Sequence, residues 1–241
     1  MLLSYYTAER HKVNAVTLGV TLGLFTAVPF LATLATVVTK RELIAAEVLT
    51  LDMIAPNVYG AWSSLLYPLL CMVLVQSVTA TEHETNSLRY HKSTAIRWGR
   101  FFIAKCGFVF TRLALASLLN ILTTTVLFAY IAGLQGLQYS VPELLIEAGA
   151  TFLGMTAYCL PLLAFQLVVS LLIDKSYLSF AVGLVLLVIG IPIVNLTDFI
   201  YNPYALLIAA EKYGYLDPRI LIYGVVLTCL STVLFVWRSE R

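Results

Sequence analysis

The stretch Thr81–Lys105, TEHETNSLRYHKSTAIRWGRFFIAK, is an island of charge in a very apolar chain. It carries two acids and five bases, whereas residues 53–81 and 113–142 contain no Asp, Glu, Lys or Arg. Burying such a cluster of charges in hydrocarbon is costly. We therefore interpret the island as a segment in water or in the headgroup layer, between two membrane-spanning helices.

The composition of the whole chain supports this interpretation. Of the 241 residues, 60% are hydrophobic and only 12% are charged, and the mean hydropathy is +0.90, whereas a soluble domain has about 25% charged residues. A helix needs about 20 apolar residues to cross a bilayer. The apolar runs predict an all-α membrane protein, one transmembrane domain over residues 1–241, with six spans at about 17–38, 58–79, 106–132, 148–173, 177–196 and 220–237.

Three segments outside the spans carry further predictions. The N-terminus mixes apolar residues with Glu9, Arg10 and Lys12, which is typical of an interfacial helix. Pro56 and Asn57 are predicted to close the loop before the second span. The segment 198–219 has an apolar middle too short to span and ends rich in Tyr, Pro, Asn and Asp, so a re-entrant or interfacial hairpin is favoured over a solvated loop.

Six spans place both chain ends on one side of the membrane, and the distribution of bases predicts which side. Short cytoplasmic loops are enriched in Lys and Arg. The side with the termini and the island has eleven bases, and the opposite side has four, Lys40, Arg41, Lys212 and Arg219. The termini and the island are therefore predicted to be cytoplasmic, with the more acidic loops outside.

Several chemistries find no support in the residues. The chain has no GxxxxGK[ST] phosphate loop and no HExxH zinc motif, and no basic face that would bind nucleic acid. No ionisable residue falls at the centre of a predicted span, which argues against a proton relay. The four cysteines lie in or beside apolar runs, as small core residues do. We expect no catalytic, metal or cofactor site, and a docking role for the island.

The island resembles a cytoplasmic segment of ABC-2-type permeases. In that family the segment after the second span often reads E-x-E-x-G-T-L, then P-[VI]-S-[RK], then an aromatic run that closes on A-K. Glu82–Leu88 resembles the first part, Ser93–Trp98 stands near the second, and Phe101–Lys105 matches the third. Asn86 and Ser87 replace the usual Gly-Thr.

Two other stretches are similar to permeases of lantibiotic self-immunity exporters. Residues 8–12, AERHK, resemble an N-terminal A-E-x-x-K motif, and Pro29 falls in the first span as it does there. Residues 57–62, NVYGAW, followed by Tyr67 and Pro68, resemble the N-W-Y…P-L start of the second span. The resemblance covers residues 1–105, and the remainder is similar in hydropathy.

This resemblance implies a bacterial plasma-membrane permease subunit without enzymatic activity of its own. It would pair with a second permease and with two copies of an ATPase that binds ATP and Mg²⁺, and it would export a lantibiotic-like peptide. Five residues of the island would form a coupling helix that docks on the ATPase, and three more would form a lever into the third span. The docking residues are Glu82, Glu84, Asn86, Leu88 and Arg89, and the lever residues are Arg97, Arg100 and Lys105.

Two alternatives remain open at this point. The same architecture could export a lipid, a polysaccharide or a drug. A polytopic membrane protease could use Glu82, His83 and Glu84, although the chain lacks the EExxxR and HxxxN patterns of CAAX-type proteases.

Overall fold

The protein is described by a computed structural model covering residues 15–46, 48–84, 98–137, 140–173, 175–197, 200–213 and 217–240. Of these residues 92% are helical and none is in a strand. Six helical segments in this part of the chain are long and apolar enough to cross a membrane. The predicted all-α class and number of spans are thus confirmed. The predicted N-terminal helix lies on residues outside the described ranges, and so does the part of the predicted coupling helix that follows Glu84.

The first span is helix α1, Ala15–Thr39, which a short helix α2, Arg41–Ala45, follows. Pro29 lies inside α1, and the Thr33 hydroxyl donates to the Pro29 carbonyl over 2.9 Å. Only 17% of the apolar window of α1 is buried. This helix therefore lies at the edge of the bundle.

The second span is a compound helix. It begins with α3, Leu51–Ala61, continues as a π-helix, Trp62–Leu66, and ends as α4, Tyr67–Glu84. The prediction that Pro56 and Asn57 close a loop is wrong, because both lie inside α3. Pro56 is the sixth residue of α3, beyond the first turn, so its missing N–H removes one hydrogen bond within the helix. The Asn57 side chain donates back to the Met53 carbonyl over 2.7 Å.

The third span is one unbroken helix, α5, Trp98–Leu134. Its 37 residues correspond to about 55 Å at 1.5 Å per residue, which exceeds the 40–45 Å or so of a whole bilayer. The last part of the charged island and the third span are therefore a single element.

The fourth span is helix α6, Val141–Leu172, and it lies at the centre of the bundle. It starts with a capping box, in which the Ser140 hydroxyl accepts from the Glu143 N–H and the Glu143 carboxylate accepts from the Ser140 N–H. Its apolar window is 72% buried, the highest value among the six candidate spans, because α4, α5 and three later helices pack around it.

The last two spans are α7, Ser176–Leu196, and α9, Pro218–Glu240. Between them come a 3-10 turn, Pro203–Ala205, and helix α8, Leu206–Tyr213. All residues from Tyr204 to Ala210 are buried. The segment between the last two spans is therefore packed into the protein rather than solvated.

Candidate functional site

A buried ion pair joins the end of the second span to the start of the third. The Lys105 ammonium lies 2.8 Å from the Glu82 carboxylate, and neither side chain is exposed. The ammonium also donates to the Val78 carbonyl over 3.3 Å and lies 4.9 Å above the Phe101 ring. Three kinds of partner thus compensate for removing one ammonium from water.

Aromatic rings connect this pair to the last span. Phe102 stacks on Phe235 of α9 with 4.9 Å between ring centroids, and Trp98 meets the same ring edge-on at 6.0 Å. Phe101, which covers Lys105, stacks on Phe235 at 6.5 Å. The first turns of α5 are therefore held against both α4 and α9, so a movement of this end of α5 would be transmitted to both helices.

Glu82, one of the predicted docking residues, is buried inside the protein. Its carboxylate faces Lys105 inside the chain, so in this structure it offers no surface to a partner protein. Of the other predicted docking residues, Glu84 is the last residue of α4, whereas Asn86, Leu88 and Arg89 lie outside the described residues. The docking role of this segment stays a prediction.

The predicted lever residues are placed in part. Lys105 and Arg100 lie in the first two turns of α5, Lys105 buried and Arg100 half-buried. Arg97 precedes the described part of this helix, and Glu9, Arg10 and Lys12 precede α1. The structure thus joins Glu82 of the predicted docking set to Lys105 of the predicted lever set.

A second polar cluster lies in the middle of the bundle. The Tyr67 hydroxyl is 2.6 Å from the Ser117 hydroxyl, which also contacts the Thr156 hydroxyl. Asn120, one turn further along α5, is 1% exposed and lies close to the Tyr67 hydroxyl. Interhelical bonds of this kind fix helix register in apolar surroundings.

The segment after α7 folds back along that helix. The Asn202 side chain donates to the Leu186 carbonyl over 2.9 Å and accepts from the Tyr204 N–H over 3.0 Å. The Tyr204 hydroxyl donates to the side-chain amide oxygen of Gln166, a residue of α6. Because Leu186 is ten residues before the end of α7, the chain must return about 15 Å along the helix axis, less the reach of the Asn202 side chain.

Two glycines of α7 make room for this segment. A Cβ at Gly190 would lie 2.5 Å from the Asn202 amide nitrogen. A Cβ at Gly183 would lie 2.5 Å from the Met72 sulfur and 3.1 Å from the Tyr204 hydroxyl. The two distances of 2.5 Å are closer than real Cβ atoms approach other atoms, so a side chain at either position would displace Asn202 or Met72.

Helix α8 brings a carboxylate to the π-helix. The Ser63 hydroxyl donates to the Glu211 carboxylate, which is partly buried. Burial raises the pKa of Glu211, and the hydrogen bond from Ser63 opposes part of that rise. The adjacent Lys212 extends its ammonium to the Val194 carbonyl over 3.0 Å, which ties the same helix to α7.

No grouping of three or more His, Cys, Asp or Glu side chains that could hold a metal ion occurs in the described ranges. Cys71 and Cys159 are buried and free, Cys106 is partly buried and Cys229 is exposed.

Comparisons with known proteins found no matching family model, curated protein or solved structure.

Sequence reasoning named Glu82 and Lys105 but did not pair them, and it gave no role to Asn202 or Glu211. One signal for the pair was available. An acid in the last turn of one span and a base in the first turns of the next face each other when the two helices pack antiparallel. For Asn202, the signal was a side chain that commonly bonds its own backbone in turns, next to Pro203.

Proposed function

We propose that this protein is the permease subunit of an ABC-2-type exporter. The observation that carries the proposal is the buried Glu82–Lys105 pair. It joins the first acid of the E-x-E sequence to the lysine of the closing A-K sequence, the two ends of the stretch that resembles the family. The ion pair between Glu82 and Lys105 gives a structural reason for both residues to be present in this stretch.

In the proposed mechanism, the docking segment that contains Glu84, Asn86, Leu88 and Arg89 binds a separate ATPase that binds ATP and Mg²⁺. Closure of two such ATPases would displace the docked segment as a rigid body. The ion pair and the ring stack around Phe235 would pass that displacement to α4, α5 and α9 together. The length of α5, which exceeds the thickness of a bilayer, suits a lever.

The proposal includes an orientation. Both termini and residues 85–97 would lie in the cytoplasm of a bacterial cell, because eleven of the fifteen bases belong to that side. The segment 200–213 would then enter the membrane from outside and return as a re-entrant hairpin. Its contacts with Leu186 and Gln166, both well inside their helices, support this placement.

For the cargo, we propose a cationic lantibiotic-like peptide, which the exporter would remove from the membrane to protect the producing cell. The support is the resemblance of residues 1–105 and the excess of acids over bases in the outer loops. The alternative cargoes are a lipid, a polysaccharide or a drug. Growth of cells with and without this gene in a panel of peptides separates them, because unchanged sensitivity to every peptide would contradict the immunity role.

The test of the transport class is assembly with an ATPase. The protein should co-purify with a soluble ATP-binding cassette subunit and raise its ATP hydrolysis. Charge reversal at Glu84 and Arg89, Glu84→Lys with Arg89→Glu, should weaken this assembly while the isolated chain keeps its thermal stability.

The matched control separates docking from folding. The double substitution Glu82→Leu with Lys105→Met removes the buried charges as a pair and should leave ATPase binding in place. If the chain co-purifies with no ATPase, or if the reversed-charge variant assembles as wild type does, the docking role of this segment is wrong.

A further inference from the structure

A lateral groove separates the first span from the first half of the second. It lies between α1 and α3 and has a volume of about 510 Å³, within the range of about 300–1,000 Å³ that is typical of ligand sites. Its walls are mostly apolar. The groove is lined by residues of both helices and of the loop between them, among them Val28, Ala32, Lys40, Met53, Ala61 and Leu66.

The length of the groove matches one leaflet of a bilayer. Its α1 wall extends from Val28 to Lys40, twelve residues apart, which is about 18 Å along the helix. Half of the hydrocarbon core is about 15 Å. Since Lys40 directly follows the last residue of α1, the groove extends from the end of the span to the middle of the apolar layer.

The groove carries a charged residue at one end only. Lys40 is exposed at the loop end and is the one ionisable residue among the described lining residues. Leu66 and Val28 lie at the other end. This distribution matches an amphiphile with an anionic head and an apolar tail.

The threonine hydroxyl groups that line the groove donate hydrogen bonds to backbone carbonyls of the protein itself. Thr33 donates to the Pro29 carbonyl, and Thr36 donates to the Ala32 carbonyl over 3.0 Å. The Asn57 amide likewise donates to the Met53 carbonyl. A peptide backbone in the groove would therefore find few donors for its carbonyl groups, whereas an acyl chain needs none.

We propose that this groove binds one acyl chain of an anionic phospholipid whose phosphate is held by Lys40. The lipid belongs to the leaflet on the side of the loop between the first two spans. The inference rests on insertion of the chain in a membrane and not on the proposed transport function. A cationic peptide cargo is disfavoured here, because it would bring like charges together at Lys40.

The experiment is native mass spectrometry of the full-length protein in detergent with an equimolar mixture of phosphatidylglycerol and phosphatidylcholine that carry identical acyl chains. Wild type should retain phosphatidylglycerol preferentially. Lys40→Gln should lower this preference about fivefold, the effect of one cation at a membrane surface. Ala61→Trp, which fills the groove, should reduce retention of both lipids.

Two control variants make the result specific. Arg41→Gln removes a neighbouring exposed base that does not line the groove, and Val126→Trp adds the same ring to an exposed position of α5. Both should retain lipid as wild type does. The proposal is overturned if wild type shows no preference between the two lipids, or if Arg41→Gln acts as strongly as Lys40→Gln. It is also overturned if Ala61→Trp dissociates a dimer, since a second copy would then occupy the groove.

Discussion

Glu82 and Lys105 are 23 positions apart in the chain, yet their charged groups lie 2.8 Å from each other in the protein interior. The pair joins the two ends of the segment 83–104, because one partner is on the last turn of α4 and the other is on the second turn of α5. Whatever binds to this segment therefore acts on two spans that are already joined.

Removing one partner of this pair should be strongly destabilising. Lys105→Met removes the ammonium that lies 2.8 Å from the buried Glu82 carboxylate, and Glu82→Gln removes the negative charge that faces the buried Lys105 ammonium. Breaking a buried pair in this way costs about 3–5 kcal/mol. We expect a lower apparent melting temperature in detergent for both single variants, measured by size-exclusion chromatography after heating.

The double variant Glu82→Leu with Lys105→Met should be much closer to wild type than either single variant, since replacing a buried pair by apolar residues is often neutral. Losses that add up in the double variant would mean that the two residues act independently, in contradiction to the contact.

Gly190→Ala should displace the segment that folds back along α7. The new methyl group would lie 2.5 Å from the Asn202 amide nitrogen and 3.0 Å from its Cγ. Asn202 is held by hydrogen bonds to Leu186 and Tyr204, which a movement of its side chain would disturb. We expect a loss of about 1–3 kcal/mol, measured as a lower melting temperature.

The matched control is Gly149→Ala in α6, where an added Cβ meets no atom within 4 Å. Alanine favours a helix over glycine, so this variant should be as stable as wild type or slightly more so. Equal losses at both positions would show that the effect is not caused by the contact with Asn202.

Glu211 should make the stability of the protein depend on pH. Its pKa is raised by burial, so the folded state favours the protonated carboxyl relative to the unfolded state. The resulting stabilisation is present at low pH and is lost as pH rises through the raised pKa. In Glu211→Gln the side chain still accepts from Ser63, but the dependence on pH is removed. Melting temperatures of both proteins between about pH 4 and 8, the range in which a carboxyl with a raised pKa titrates, will measure it.

Ser63→Ala provides the companion variant. The hydroxyl of Ser63 lowers the pKa of Glu211 in part, so its removal should move the midpoint of the pH dependence upward. Identical pH profiles for wild type and Glu211→Gln would contradict the assignment.

Gln135 should hold the start of the second span in place. It is 7% exposed, its amide donates to the Leu49 carbonyl over 2.9 Å, and its carbonyl accepts from the Leu51 N–H over 3.3 Å. Gln135→Leu leaves both backbone groups without this partner, at a cost of about 1–3 kcal/mol. Hydrogen exchange of residues 49–54 should become faster.

The control for Gln135 is Thr123→Val, because the Thr123 hydroxyl bonds only to carbonyls of its own helix. Unchanged exchange at residues 49–54 in Gln135→Leu would exclude this capping role.

The spans were predictable because their signal is local. Long runs without charge identify α1 and α7 to within a few residues. They also identify the end of α6, which starts about seven residues before the predicted span. The start of the second span was predicted wrongly because that prediction also relied on a local signal. Pro56 and Asn57 are turn residues by local preference, but the contacts of α3 and the side-chain bond of Asn57 to Met53 outweigh that preference.

The candidate site was only partly predictable, since it depends on contacts between distant positions. Charge placement singled out Glu82 and Lys105, yet periodicity does not say which residues of two helices meet. The close packing at Gly183 and Gly190 comes from Met72 and Asn202, which lie outside α7. A single sequence has no local signal for such a contact.

The π-helix at Trp62–Leu66 bears on how related chains should be aligned. A π-helical turn holds one residue more than the α-helical turn it replaces, and each residue rotates a helix by about 100°. In an alignment, a homologue that lacks the extra residue would keep both Tyr59 and Tyr67 against Phe152 only if its gap falls within 62–66. A gap placed elsewhere in the second span would assign lipid-facing positions to the protein interior.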